Sequence, residues 1–194
     1  MKQDIRNLFK EEEDLKTLPD NHRAEFLDKL NKQKQSKNKM RSVIKPVIAI
    51  TMGDPNGIGS EVIAKALAAS QIHRWCQPIV VGNTWSLKQA IKLTNLQLQV
   101  REVSDVHNIE PSPKIANIID IHNLNPVDIT VGQVSPICGK ASMEWVSKAT
   151  DLALAGHVQA LVTAPINKAA ASLAGYKAIG HMELLQQMSG ASEI

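Results

Sequence analysis

Residues 47–59 read VIAITMGDPNGIG, and this stretch decides the fold that the sequence predicts. Its first part, Val47–Thr51, is a short apolar and β-branched run of the kind that forms buried parallel strands. A loop with three glycines follows, and glycine lets a backbone turn sharply and approach a ligand closely. Ser60 then has the side chain of a helix N-cap. The stretch therefore predicts a strand, a tight loop and a helix in succession.

The same alternation of strand and helix continues along the chain. Further strands are predicted at Pro78–Gly82, Leu96–Val100, Ile115–Ile121 and Ala160–Thr163, the last of them buried. Helices are predicted at Trp85–Leu93, Gly139–Ala155 and Asn167–Leu173, and from about His181. This alternation is typical of an α/β fold in which helices cover a mainly parallel sheet, in an α/β/α arrangement of layers.

Residues 1–44 have a different composition from residues 45–194. They are rich in charged and amide side chains and contain no glycine. Their apolar positions are too few to form a core, although a short helix is predicted after Asn21. We expect a charged leader that is partly helical or disordered, and that either docks on a partner or stays loosely ordered. Residues 45–194 are expected to form the folded unit.

The composition excludes several functional classes. The net charge of +3 comes mostly from the segment 29–45, which is more typical of a solvated linker than of a nucleic-acid or lipid contact. Aromatic residues make up only 3% of the chain, so platforms for stacking bases are not expected. No apolar run has the length of a membrane span. With two cysteines outside any CxxC pattern and no signal sequence, we expect a cytoplasmic protein with reduced thiols.

Polar side chains follow the predicted strands at three junctions. In the glycine loop, Asp54 and Asn56 have oxygens that suit a hydroxyl, a hydrated metal or the neighbouring backbone. The loop is neither a P-loop nor a GxGxxG motif, so a structural turn and a ligand loop are equally compatible with it. Lys168 is expected at a helix N-terminus, where the helix dipole disfavours it unless an anion is near. His181 follows a glycine, where it could bind a polar substrate, carry a proton or be purely structural.

The remaining histidines show no spacing typical of metal ligands, and no order of Ser, His and Asp indicates a catalytic triad. These five histidines are His22, His73, His107, His122 and His157. The sequence therefore predicts no metal site within this chain.

Four segments, in this order, resemble the 4-hydroxythreonine-4-phosphate dehydrogenases. They are Ile50–Glu61, Gly139–Ser142, Leu161–Lys168 and Gly180–Glu183. The resemblance implies a fold like that of isopropylmalate and isocitrate dehydrogenases, and a homodimer with its active site between two domains. It implies oxidation of 4-phosphooxy-L-threonine by NAD, followed by loss of CO2, in pyridoxal phosphate biosynthesis. A divalent metal (Zn, Mg or Co) would hold the substrate hydroxyl.

The resemblance also implies roles for individual residues. His181 matches a substrate-binding histidine, while Met182 stands where the family normally has a substrate-binding threonine. A thioether is a weak hydrogen-bond acceptor and no donor, so a 4-phosphorylated threonate or erythronate is an alternative substrate. With Asp54, Asn56 and Lys168, these two residues form the predicted substrate-binding set. No catalytic or NAD-binding residue is assigned.

The family's metal-binding histidines lie downstream of the segments that match. We therefore expect the chain to be an N-terminal portion of such an enzyme, truncated at the C-terminus, without a metal site and inactive on its own. The alternative is a non-catalytic protein that binds a partner through residues 1–44 or dimerises with a full-length copy.

Overall fold

A computed structural model describes residues 45–177 and 180–192. The predicted leader, residues 1–44, lies outside the described residues. The strands are β1 (Val47–Thr51), β2 (Gln77–Val81), β3 (Gln99–Glu102), β4 (Ile115–Ile119) and β5 (Ala160–Thr163). They form a sheet in the order β3-β4-β2-β1-β5, and every pairing is parallel. The predicted mainly parallel α/β fold is confirmed.

Helices connect the strands. They are α1 (Gly59–Ala68), α2 (Ile72–Trp75), α3 (Thr84–Leu93), α4 (Pro136–Leu154), α5 (Lys168–Leu173) and α6 (His181–Ser189). Two 3-10 turns, Val106–Asn108 and Pro126–Asp128, lie in the connections around β4. Helix α2 and both turns are too short to leave a periodic pattern, and the sequence analysis did not predict them.

The third strand begins later than predicted. Asn95 has a left-handed backbone with φ of 52°, and the Leu96 amide donates to the Ile91 carbonyl at 3.1 Å. Leu96 therefore closes the C-terminal end of helix α3, which ends at Leu93, and does not yet belong to the strand. Sheet pairing starts only at Gln99, which lies opposite Ile115.

In the part of the chain that the structure describes, strand β5 lies at the edge of the sheet, and the prediction that it is buried was wrong. Among the described residues it pairs only with β1. Its side chains alternate between exposed and half-buried, and Val162 is 51% exposed. An apolar run alone does not distinguish a central from an edge strand, because the difference lies in which segments flank it.

Helix starts also differ from the predictions. Helix α1 begins at Gly59, after Ile58 in the N-cap position and without a side-chain cap. Ser60 lies inside the helix, so its predicted capping role was wrong. Helix α4 begins three residues before the predicted Gly139, because Ser135 caps it and Pro136 occupies its first position.

The core lies where the central strands meet helix α4. Ala49, Ile79 and Ile118 of the sheet and Trp145 of the helix are all fully buried in one cluster. A second cluster joins α4 to α5 and α6 through Met143, Val146, Ala171 and Leu184. This second cluster fixes the position of helix α6, which carries His181. Within the described residues, no helix combines the length and the apolarity that a bilayer span requires.

Candidate functional site

The first two predicted junctions are in direct contact. Strands β1 and β5 are parallel neighbours with Thr51 opposite Thr163, so the loops that follow the two strands begin side by side. The Ala164 amide donates to the Thr51 carbonyl at 3.0 Å. One turn later, the Asp54 amide donates to the Pro165 carbonyl at 2.9 Å. These bonds lock the glycine loop to the start of the β5–α5 connection.

Glycine is required at two positions of this contact because no space remains for a side chain. Gly53 has φ of +73°, and a Cβ there would lie 2.3 Å from the Pro165 carbonyl oxygen. A Cβ at Gly59 would lie 2.2 Å from the Met52 carbonyl oxygen. The glycines thus serve a close approach of backbone to backbone.

Asp54 and Asn56 are buried, and many of their hydrogen bonds are made to the loop itself and to the segment that covers it. The Asn56 amide donates to the Asp54 carboxylate at 3.0 Å. The Asn56 side chain donates to the Gln133 carbonyl at 2.9 Å and accepts from the Thr130 amide at 2.8 Å. Asn56 therefore fastens the segment 130–133 across the loop. Its predicted contact with a substrate stays a prediction.

Lys168 lies at the start of helix α5, as predicted. Asn167 is the N-cap, and its side chain accepts from the Ala170 amide at 3.1 Å. Lys168 itself is exposed. A cation in this position gains nothing from the helix and is free to meet an anion.

His181 is the first residue of helix α6 and is half-buried. Burial lowers the pKa of His181, and the positive charge of Lys168 acts in the same direction. The backbone of Ala164 and the carboxylate of Glu183 oppose this shift. The third junction therefore lies beside the second. The imidazole is held in its neutral form at neutral pH, because its pKa is below the ordinary value of 6.5.

One ring nitrogen of His181 is buried without a partner. Nε2 makes no hydrogen bond with any of the described residues. Buried polar atoms in folded proteins nearly always have a partner. The predicted contact of His181 with a substrate stays a prediction, and this unpartnered nitrogen is the atom that it would use.

Two hydroxyls near the glycine loop share this property. Thr51 Oγ1, at the end of β1, and Ser60 Oγ, in the first turn of α1, are buried and unpartnered among the described residues. These two residues are not among the predicted binding residues, because burial without a partner leaves no signal in the sequence. Met182, which is among the predicted binding residues, is 52% exposed beside His181.

The described residues hold one group of three side chains able to bind a metal, and it lies outside the junctions. Asp105, His107 and His157 have ligand atoms within 4.8 Å of one another. Neither Asp54 nor His181 belongs to such a group in the described part of the chain. No sequence pattern indicates this trio, because its members come from segments about 50 residues apart. The prediction of no metal site in this chain stays a prediction until binding is measured.

Comparisons with known proteins agree on one family. The family model described as "Pyridoxal phosphate biosynthetic protein PdxA" matches residues 74–194. A Clostridium botulinum protein named "Putative D-threonate 4-phosphate dehydrogenase" is 30% identical over 149 residues, which are 77% of this chain and 45% of that protein. A protein of the same name from Oceanobacillus iheyensis is 35% identical over 150 residues, again 77% and 45%.

A solved structure shares the fold. The 4-hydroxythreonine-4-phosphate dehydrogenase from Burkholderia phymatum has a TM-score of 0.74 at 35% identity, with 77% of this chain and 45% of that chain covered. The chain thus spans a little under half the length of the relatives it matches.

Proposed function

Because the chain belongs to the PdxA family, we propose that its three junctions bind the substrate of a dehydrogenase that oxidises a 4-phosphorylated four-carbon hydroxy acid. The proposed substrate is 4-phosphooxy-L-threonine, with NAD-dependent oxidation followed by decarboxylation, in pyridoxal phosphate biosynthesis. The protein would act as a homodimer in the cytoplasm. The relatives are named as dehydrogenases of such phosphorylated compounds, which supports the reaction class.

One observation carries the proposal: the unpartnered Nε2 of His181 lies where the second and third junctions meet. A purely structural histidine would have its buried nitrogen satisfied by the protein. A neutral imidazole offers one donor and one acceptor. It suits a hydroxyl group of the substrate, which both donates and accepts.

Charge supports an anionic ligand at the same place. Lys168 is close enough to His181 to lower the pKa of the imidazole. Among the described residues it forms no ion pair. The proposed substrate has a carboxylate and a phosphate, and either would compensate the lysine. Asp54 and Asn56 belong to the glycine loop, which is bonded to the second junction through the Asp54 amide and the Pro165 carbonyl.

The junction residues do not by themselves fit the divalent metal that the family implies. The described residues there offer no set of three carboxylate, imidazole or thiolate ligands. We propose that the metal, whether Zn, Mg or Co, and the hydride acceptor NAD contact residues other than these. The part played by His181 and Lys168 is to bind and orient the substrate.

D-threonate 4-phosphate is a second candidate substrate, and the names of two relatives favour it. It differs from 4-phosphooxy-L-threonine in bearing a hydroxyl instead of an ammonium group on the carbon next to the carboxylate. Met182 offers neither compound a hydrogen-bond donor. The choice between them falls to the polar atoms of His181, Thr51 and Asp54.

Calorimetric titration of the 194-residue protein tests the proposal. Both 4-phosphorylated acids, and threonate without phosphate as a control, are titrated into the parent and into His181→Gln and Lys168→Gln. We expect a phosphorylated acid to bind the parent, with each substitution weakening it about 10- to 100-fold, the value of one hydrogen bond to a charged group.

Lys92→Gln is the matched control, because Lys92 is an exposed lysine at the end of helix α3. It should leave the affinity unchanged. Equal binding by the parent and the His181 and Lys168 variants would refute the assignment of these residues to the substrate pocket.

A further inference from the structure

We propose that Asp105, His107 and His157 form a binding site for a divalent transition-metal ion, separate from the substrate pocket. Two imidazoles and one carboxylate are a donor set that suits Zn(II), and also Ni(II) and Cu(II). The atoms that would bind lie within 4.8 Å of one another in the absence of any ion. The two rings lie with centroids 5.8 Å apart and planes tilted by 51°, so they are not stacked face to face.

The backbone under each histidine is fixed by the fold. His107 follows Val106, which is 6% exposed, and His157 precedes Val158, which is 3% exposed. Both valines belong to the same hydrophobic cluster. The two histidines are therefore held beside each other by the core, although their rings lie at the surface.

Local hydrogen bonds add to this fixation. The Asp105 carboxylate caps the 3-10 turn by accepting from the His107 amide at 2.8 Å through Oδ1. This cap turns the carboxylate towards the imidazole, whose Nε2 lies 3.9 Å from the same oxygen. At the other segment, Gly156 adopts φ of +75° and the His157 amide donates to the Leu152 carbonyl at 2.9 Å. This left-handed glycine ends helix α4 and sets the direction of His157.

The distances permit closure around an ion. In a tetrahedral zinc site with bonds of about 2.0–2.2 Å, ligand atoms lie about 3.3–3.5 Å apart. The three side chains need to close by about 1–1.5 Å at most to reach this geometry. Because His107 and His157 are exposed, rotation of their side chains provides this movement without repacking the core. Water would complete the coordination of the ion.

His122 provides a matched comparison. Its side chain is 72% exposed against 80% for His107, and carboxylates lie 2.9 and 3.9 Å from its ring nitrogens. Among the described residues it has no second imidazole in a group of three ligands. A general affinity of surface histidines for metals would involve His122 as much as His107.

Equilibrium titration of the 194-residue protein with ZnCl2, against a chromogenic zinc indicator, tests the site. The parent is compared with His107→Gln, His157→Gln and His122→Gln. We expect the parent to bind one equivalent of Zn(II). The affinity for this ion should fall at least about 10-fold in each of the first two variants and be unchanged in the third. Zinc binding that His107→Gln and His157→Gln both retain in full, or a parent that binds no zinc, would overturn the proposal.

Asp105→Asn distinguishes ligand loss from damage to the turn. An asparagine keeps an oxygen that caps the His107 amide but removes the negative charge. We expect weaker zinc binding with an unchanged melting temperature of the zinc-free protein. If zinc affinity stays at the parent value in this variant, the carboxylate is not a ligand and the proposed three-residue site is wrong.

Discussion

The glycine loop and the start of helix α6 belong to one candidate site, but their polar groups have different hydrogen-bond partners. In the loop, the side-chain amide of Asn56 is hydrogen-bonded to the segment 130–133. At α6, His181 has a buried nitrogen with no partner among the described residues. This difference supports our proposal that some motif residues build the site and others bind its ligand. Each group should respond to substitution in its own way.

The largest effect is expected at Gly53, whose substitution should lower the stability of the fold. Gly53→Ala should reduce the free energy of unfolding by about 4 kcal/mol or more, because a left-handed alanine is strained and its Cβ overlaps the Pro165 carbonyl. Urea denaturation followed by circular dichroism measures this loss. Gly132→Ala is the matched control, since Gly132 also has positive φ but no atom within 4 Å of its Cβ position. A loss there as large as at Gly53 would show that strain alone, and not close packing, requires the glycine.

The second effect tests whether Asn56 holds the segment 130–133 in place. Asn56→Ala should cost about 1–3 kcal/mol, because the Thr130 amide and the Gln133 carbonyl lose their partners. Hydrogen exchange should speed up at the Thr130 amide, while the Ala164 amide, which bonds to Thr51, stays protected. Unchanged exchange at Thr130 would contradict the fastening role of Asn56.

A third effect concerns exposed charge. Lys168→Gln should leave the melting temperature within about 1–2 °C of the parent, because exposed side chains contribute little to stability. Differential scanning calorimetry checks this. A large loss of stability would place Lys168 with the residues that build the fold.

The smallest effect is a dependence of stability on pH. Because burial lowers the pKa of His181 in the folded protein, the unfolded chain takes up a proton first as the pH falls below about 6.5. Stability contributed by the neutral imidazole is therefore present above that pH and is lost as the pH falls through the lower folded pKa. In His181→Gln, urea denaturation at a series of pH values should show a flatter profile in this window. The parent profile persisting in the variant would argue that other groups cause it.

More of the fold than of the candidate site could be predicted from the sequence. The limits of β1 and β5 coincide with apolar runs that each end at a threonine, and their bounds were predicted correctly. The edge position of β5 depends on which segments neighbour it, and a single run carries no such information. Similarly, the partners of Asn56 lie more than 70 residues away in sequence. The trio of Asp105, His107 and His157 forms only when separate connections meet.

Asn56 and His181 are proposed to have different roles, the first in building the site and the second in binding its ligand. The most direct test measures, for Asn56→Ala and His181→Gln, both the free energy of unfolding without ligand and the affinity for the 4-phosphorylated acids. We expect a crossed result. Asn56→Ala should lose about 1–3 kcal/mol of stability, while His181→Gln should keep its stability and lose affinity about 10-fold or more. If His181→Gln unfolds as readily as Asn56→Ala and binds the acids like the parent, the proposed roles of the two residues are wrong.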